Sequence, residues 1–298
     1  MRSDPDGRDL ARVDTMAPES AERLAAVLDV PRAFRPGDEL PLLWHCAYFS
    51  DAGPQSTLAA DGHPRRTDAA LERFPRRMAA GGSVRRLGAL VVGQPAKRLS
   101  LLDELTEKQG RSGPLLFANW CHIIEQGGST VREERQTVVY RPALDEPAVN
   151  GGPTGGARPS EERSGTAQIQ GVLSGATPPQ LPMRSVTFDS TTLFRFSAVT
   201  WNAHRIHYDW PYATGTEGYC GLVVHGPLLA CLLGLEASRE IGEPGQVDFR
   251  ALAPVFVGDR VEIFGTRSDP GRFTVEARLP GDEVAMSLVA SVPADVQG

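Results

Sequence analysis

The densest group of side chains able to move protons lies in Phe196–Tyr212, FSAVTWNAHRIHYDWPY, where Asn202, His204, His207, Asp209 and Tyr212 fall within eleven residues. A short loop downstream, Val224-His225-Gly226-Pro227 opens a leucine-rich segment. A histidine exchanges protons near neutral pH because its ordinary pKa lies close by. An amide such as that of Asn202 can hold a water against it, and Asp209 is placed to orient its ring. A helix beginning at Gly226 offers an unpaired backbone N–H where a developing oxyanion would need one. Base, water holder and oxyanion donor are the parts needed to add water across the double bond of an α,β-unsaturated thioester.

These residues must be held by a fold, and the segments around them indicate which. His225–Arg239 is apolar almost all round through Leu228, Leu229, Leu232, Leu233 and Leu235, and Pro227 suits a first helical turn, so a buried helix is expected. Elsewhere strand signals dominate. Pro114–Ile124 and Arg135–Tyr140 flank Gly127-Gly128; Val255–Arg267, Arg272–Leu279 and Val284–Val292 are parted by Asp269-Pro270-Gly271 and Pro280-Gly281. Pro18–Leu28 reads as a short amphipathic helix. Placing Gly93 over Gly258 lays SVRRLGALVVGQ on DFRALAPVFVGD, Ser83 falling on Asp248. The expected fold class is α+β, two copies of an antiparallel sheet wrapping a central helix, a double hot-dog.

The 298 residues are about twice an ordinary domain, in keeping with two units. Residues 143–184 are Gly/Pro-rich and without aromatics, a flexible linker between a first half at 15–142 and a second at 185–298; residues 1–14 read as a disordered tail. With 31 Lys+Arg against 37 Asp+Glu, a net charge of −6 and no basic stripe, no nucleic-acid partner is expected. No apolar run of about eighteen residues or signal-like amino terminus is present, so a cytoplasmic protein without a membrane partner is expected. Cys46, Cys121, Cys220 and Cys231 are scattered and read as free thiols. His204-x-x-His207 with Cys220 or His225 matches no common zinc spacing, so neither metal nor cofactor is expected. His204 and His225 also suit a purely structural, buried role, and Asp209 that of a turn former.

Residues 194–235 resemble the MaoC-like hydratase/dehydratase family, whose signature Asp-x-Asn-Pro-x-His-x-Asp precedes a His-Gly at the start of the hot-dog helix. Here the stretch reads Asn202-Ala203-His204-Arg205-Ile206-His207-Tyr208-Asp209, then His225-Gly226. The family's catalytic His falls on His207 and its helix-start Gly on Gly226, while its Asp falls on Asn202 and its Asn on His204. An amide accepts no proton at neutral pH, so the usual Asp/His pair is incomplete and Asn202 can only position water. With PLLWHCAYF, GHPRR, RRMAAGG and LTEKQGRSGPLLF, the chain is similar to the mesaconyl-C4-CoA hydratase and type 2 hydroxyacyl-thioester dehydratase group over nearly its whole length outside the linker and the tail.

That resemblance implies a hydro-lyase acting on a short enoyl thioester carried by coenzyme A or by acyl-carrier protein. Asn202, His207 and Gly226 are the catalytic candidates; His204, Arg205, Asp209, Tyr212, His225, Arg76 and Arg77 are the substrate-binding ones. Arg205, Arg76, Arg77 and Arg85 are the cations able to grip a substrate carboxylate. The first half, which contains no His-x-Asp, is expected to shape the acyl tunnel without catalytic residues. A homodimer is compatible with the fold. A thioesterase on the same fold is disfavoured by the His-x-Asp and His-Gly pair and by the lack of an acid at position 202; a non-catalytic thioester binder is the remaining alternative.

Overall fold

The computed structural model describes residues 11–65, 69–110, 113–144 and 181–292. The first half contains β1 (Ala11–Asp14), α1 (Pro18–Val27), 3-10 turns at Trp44–Ala47 and Gln55–Thr57, α2 (Ala69–Glu72), β2 (Arg76–Arg86), β3 (Ala96–Gly110), β4 (Gly113–Gln126) and β5 (Ser129–Arg141). The second contains β6 (Arg184–Thr187), α3 (Ser190–Thr200), α4 (Gly226–Ile241), β7 (Gln246–Ala251), β8 (Arg260–Asp269), β9 (Arg272–Leu279) and β10 (Glu283–Ser291). The strands form one antiparallel sheet in the order β1-β3-β4-β5-β2-β7-β10-β9-β8-β6. That order reads the same from either end when each first-half strand is replaced by its second-half counterpart, so the halves are copies of one hot-dog unit.

The two copies join by pairing β2 with β7, and Ser83 pairs with Asp248, the residue the sequence repeat lays over it. A pseudo-twofold axis passes through that pair, the arrangement by which identical subunits meet in a symmetric dimer. The glycines that mark the repeat both occupy the left-handed region, Gly93 at φ 79° and Gly258 at φ 89°, which explains why the turn keeps glycine in each copy. The β4–β5 hairpin closes on Gly127 and Gly128 at φ 60° and 83°, as a two-residue turn of this kind requires.

The apolar helix forms as expected. α4 packs on β7 to β10 and buries Leu228, Leu229, Leu232 and Leu233, each contributing about 1.5–3 kcal/mol by leaving water. The halves differ at this point. Leu40 N–H bonds Leu90 O just as Val224 N–H bonds Val255 O, so the two approaches to the helix are equivalent. Among the described residues of the first half, however, the short Trp44–Ala47 turn stands at this place instead of a long central helix. Further on, residues 60–62 meet Ala203 and Arg205 of the second half.

Two boundaries move. Residues 11–14, expected in a disordered tail, form β1 against Ala96–Leu99, because Val13 and its neighbours complete the β3 edge. Arg184, placed at the end of the linker, already begins β6, which pairs with β8. Residues 1–10 of the tail and 145–180 of the linker lie outside the described residues.

Candidate active site

Asp189 caps α3 by accepting from Thr192 N–H at 2.7 Å, and the helix ends at Trp201 in a left-handed conformation. Asn202 then folds the chain back, its Oδ1 accepting from His204 N–H at 3.0 Å, which leaves the amide nitrogen as its donor. A 3-10 turn at Arg205–His207 follows and carries His207 inward. Val223 N–H bonds Ile206 O at 3.0 Å, clamping this turn to the segment that leads into α4.

His207 is buried, and its Nδ1–H donates to Val223 O at 2.7 Å. That bond fixes the tautomer and leaves Nε2 with a lone pair. Burial, aided by the charge of Arg77, lowers the pKa of His207 to about 4, against the opposing pull of the Val223 carbonyl. His207 is therefore neutral at physiological pH, with an Nε2 able to accept a proton. Behind it lies His225, fully buried and stacked on it with ring centroids 3.6 Å apart. Ser197 Oγ meets His225 Nε2 at 2.9 Å, and Phe196 packs on the ring. His225 thus backs the His207 ring and, unlike the expected binding residues His204 and Arg77, is not part of the main cavity's lining.

Asp209 does not orient the His207 ring. Its carboxylate takes Arg205 Nε and Nη2 at 2.9 and 2.7 Å and caps Tyr212 N–H at 3.1 Å. Arg205 also donates to Ala60 O and lies over the Tyr212 ring. Tyr212 O–H donates to Glu217 Oε1, and Arg76 holds the same buried carboxylate through Nε at 3.0 Å. Asp209, Arg205, Tyr212 and Arg76 therefore brace one another outside the main cavity, and Arg85 pairs with Glu133 on the surface. Of the expected substrate-binding residues, His204 and Arg77 line the cavity.

That cavity, about 580 Å³, lies between the halves. One end presents Asn202, His204, His207 and Gly226; apolar walls come from residues such as Phe117, Val138, Leu229 and Met286, and Arg77 and Arg141 add positive charge. With His225 as N-cap, Gly226 occupies the first turn of α4, where N–H groups have no partner within the helix. The arrangement supplies a neutral base, an amide donor and an oxyanion donor to one apolar space large enough for a short acyl chain.

Three lining or adjoining residues escaped sequence reasoning. Asp61 and His63 come from the first half, which was expected to shape the acyl tunnel, and Arg141 comes from the end of β5. In the sequence, GHPRR stands out only through the family resemblance. Asp61, His63 and His204 bring one carboxylate oxygen and two ring nitrogens within 4.8 Å of one another. Around a tetrahedral metal with bonds of about 2.1 Å the donor atoms would sit about 3.4 Å apart. Arg77 Nε also lies 3.9 Å from Asp61 Oδ2, a cation where a second cation would bind. The group is better arranged for protons than for a metal.

A hydroxyacyl-thioester dehydratase type 2 family model matches residues 43–257. The chain is 40% identical over 271 residues to mesaconyl-C(4)-CoA hydratase of Chloroflexus aurantiacus, covering 90% of this chain and 89% of that one. Among solved structures, HtdX of Mycobacterium tuberculosis superposes with a TM-score of 0.64 at 13% identity, over 96% of this chain and 100% of that one. A MaoC-like dehydratase from Phytophthora capsici gives a TM-score of 0.60 at 14% identity, over 97% and 96%. The two structural likenesses speak for the fold, and the sequence matches for the family.

Proposed function

This chain belongs to the hydroxyacyl-thioester dehydratase type 2 family and is a hydro-lyase of enoyl thioesters; we propose that its substrate is a short acyl-CoA carrying a carboxylate on the carbon that receives water, as mesaconyl-C4-CoA does. His207 Nε2 takes a proton from a water held by the Asn202 amide. The hydroxide adds at C3, the π pair moves onto the thioester oxygen, and the N–H of Gly226 stabilises the resulting enolate. As the enolate collapses, C2 takes up a proton and hydration is complete; the reverse sequence is dehydration.

The observation that carries this reading is the position of Arg77. A carboxylate on C3 lies one bond from the reacting carbon, so its cation must sit close to the base. Arg77 lines the cavity and is the charge felt at His207. A guanidinium suits a carboxylate because its fork donates two parallel bonds. Arg141, at the same cavity, adds attraction for an anionic acyl group.

The test follows loss of the enoyl-thioester absorbance with mesaconyl-C4-CoA and with crotonyl-CoA. Wild type is expected to prefer the former, His207→Ala to lose both activities, and Arg77→Met to lose selectively the carboxylated one. Equal effects of Arg77→Met on both substrates would refute carboxylate recognition. Activity in His207→Ala would refute the assignment of the base.

A further inference from the structure

Besides Arg77 and its β2 neighbours, the first half reaches the catalytic end of the cavity through a tight loop. Ala59 N–H bonds His63 O at 2.6 Å, Gly62 N–H bonds Ala59 O at 3.1 Å, and Arg65 N–H bonds Thr57 O at 2.8 Å. The loop is fastened to the catalytic segment by Arg205 N–H on Asp61 O and Arg205 Nη1 on Ala60 O, both at 2.9 Å. Gly62, at φ 90°, lies so close to Ala203 that no side chain fits there. The docked loop buries the Asp61 carboxylate, which accepts from His63 N–H at 3.0 Å, and places the His63 ring on the cavity wall. Burying a carboxylate opposes stability, so its presence here calls for a role.

Four of the six histidines in the chain then form one row. Ring centroids are 4.8 Å apart from His63 to His204, 5.5 Å from His204 to His207 and 3.6 Å from His207 to His225. Hydration needs two proton movements: one off the water and one onto C2. His207 performs the first, and Asn202, standing where a carboxylate would be expected, can perform neither.

We propose that His63 is the second proton-transfer residue of the active site, supplied by the first half of the chain. The proposal rests on the reading of His207 as the base. When hydroxide forms its bond to C3, the water proton passes to His207 Nε2 and the π electrons move to the thioester oxygen. The enolate then collapses, and C2 takes a proton from the His63 imidazolium, which becomes neutral. The site is restored when the proton on His207 returns to His63, and the ring of His204 stands between them as the relay. No other co-reactant is consumed. Asp61 acts as a positioning residue: a carboxylate beside an imidazole favours its protonated form, and its bond to His63 N–H fixes the loop.

The test uses the full-length protein and mesaconyl-C4-CoA, or crotonyl-CoA where that is the better substrate. His63→Gln preserves size and hydrogen bonding but cannot carry a proton, so its kcat is expected to fall about 100-fold or more with KM within a few-fold of wild type. His63→Ala should behave alike, with partial recovery of kcat in millimolar imidazole. A His63→Gln enzyme with wild-type kcat, or one altered in KM alone, overturns the proposal. If His207→Ala is dead while His63→Gln is fully active, this inference fails and the His207 reading stands. If wild type hydrates neither thioester, the His207 reading fails and takes this one with it.

Discussion

Replacing Gly62 by Ala should separate catalysis from folding. A Cβ on this residue would overlap Ala203 O and lie 2.8 Å from Ala203 C. Reaching an ordinary carbon–oxygen contact of about 3.3 Å requires the loop to withdraw by about 1.4 Å. The bonds from Arg205 to Asp61 O and Ala60 O, both at 2.9 Å, then stretch beyond hydrogen-bonding range. Their loss amounts to about 2–4 kcal/mol, one being charge-assisted, and a left-handed alanine adds about 1–2 kcal/mol. Gly37 provides the control: it sits at φ 97° with nothing near its missing Cβ, so Gly37→Ala feels only the backbone cost. Both variants are compared by thermal unfolding and by steady-state hydration. Gly62→Ala is expected to remain folded, because the main core lies elsewhere, and to lose about 100-fold in kcat, the scale of a 1 Å misplacement of catalytic groups. Gly37→Ala should keep its kcat. A Gly62→Ala enzyme with wild-type turnover would show that the loop contributes nothing to the chemistry.

Stability should fall as the solution is acidified. His207 and His225 are held neutral in the fold, with pKa values of about 4 and well below 6.5 respectively, while the unfolded chain titrates near 6.5. The unfolded state therefore binds more protons below that pH, so stability present above about 6.5 is lost as pH falls toward about 4. Midpoints of thermal unfolding measured across that range should drop, and less so in His207→Ala; an unchanged slope in the variant would refute this origin. Arg76→Met strands the Glu217 carboxylate, whose pKa burial already raises, and should cost about 3–5 kcal/mol in denaturant unfolding. Adding Glu217→Met should recover most of that loss, and a double variant as unstable as the sum of the singles would show that the pair is not coupled.

What could be read from the sequence was what lies close together in the chain. His207 and Gly226 are linked by a short segment, and the leucines of α4 announce the helix that places them. The repeat identified the β2–β7 junction because pairing on a twofold axis joins equivalent residues. Asp209 misled for a local reason: residues two apart at a 3-10 turn project in different directions, so it faces Arg205 while His207 turns inward. The group that does orient His207 is a backbone carbonyl, which leaves no mark on residue type. α3 went unrecognised because Thr191, Thr192, Val199 and Thr200 are weak helix formers and only Leu193 and Phe196 are buried. Asp61, His63 and Arg141 join the site through tertiary contact alone, from more than sixty residues away in sequence.

The pseudo-twofold axis raises the question of a second site at the equivalent place in the first half. There Leu40, Pro41 and Leu42 stand where Val224, His225 and Gly226 stand in the second half. Their carbonyls converge on the guanidinium of Arg132, with Nη1 donating to Pro41 O at 3.0 Å and Leu42 O at 2.7 Å, and Nη2 donating to Leu40 O. Arg132 is fully buried and, with a pKa of about 10, still charged at neutral pH. The place that offers N–H donors to an oxyanion in one half thus offers oxygens to a cation in the other, and the cation is already part of the protein. Among the described residues of the first half no long helix starts at this place, so no helix-start N–H groups are offered to an oxyanion there. One thioester should therefore bind per chain. Titration calorimetry with a non-hydratable acyl-CoA analogue should give a stoichiometry of one, and a value of two would refute this account of the asymmetry.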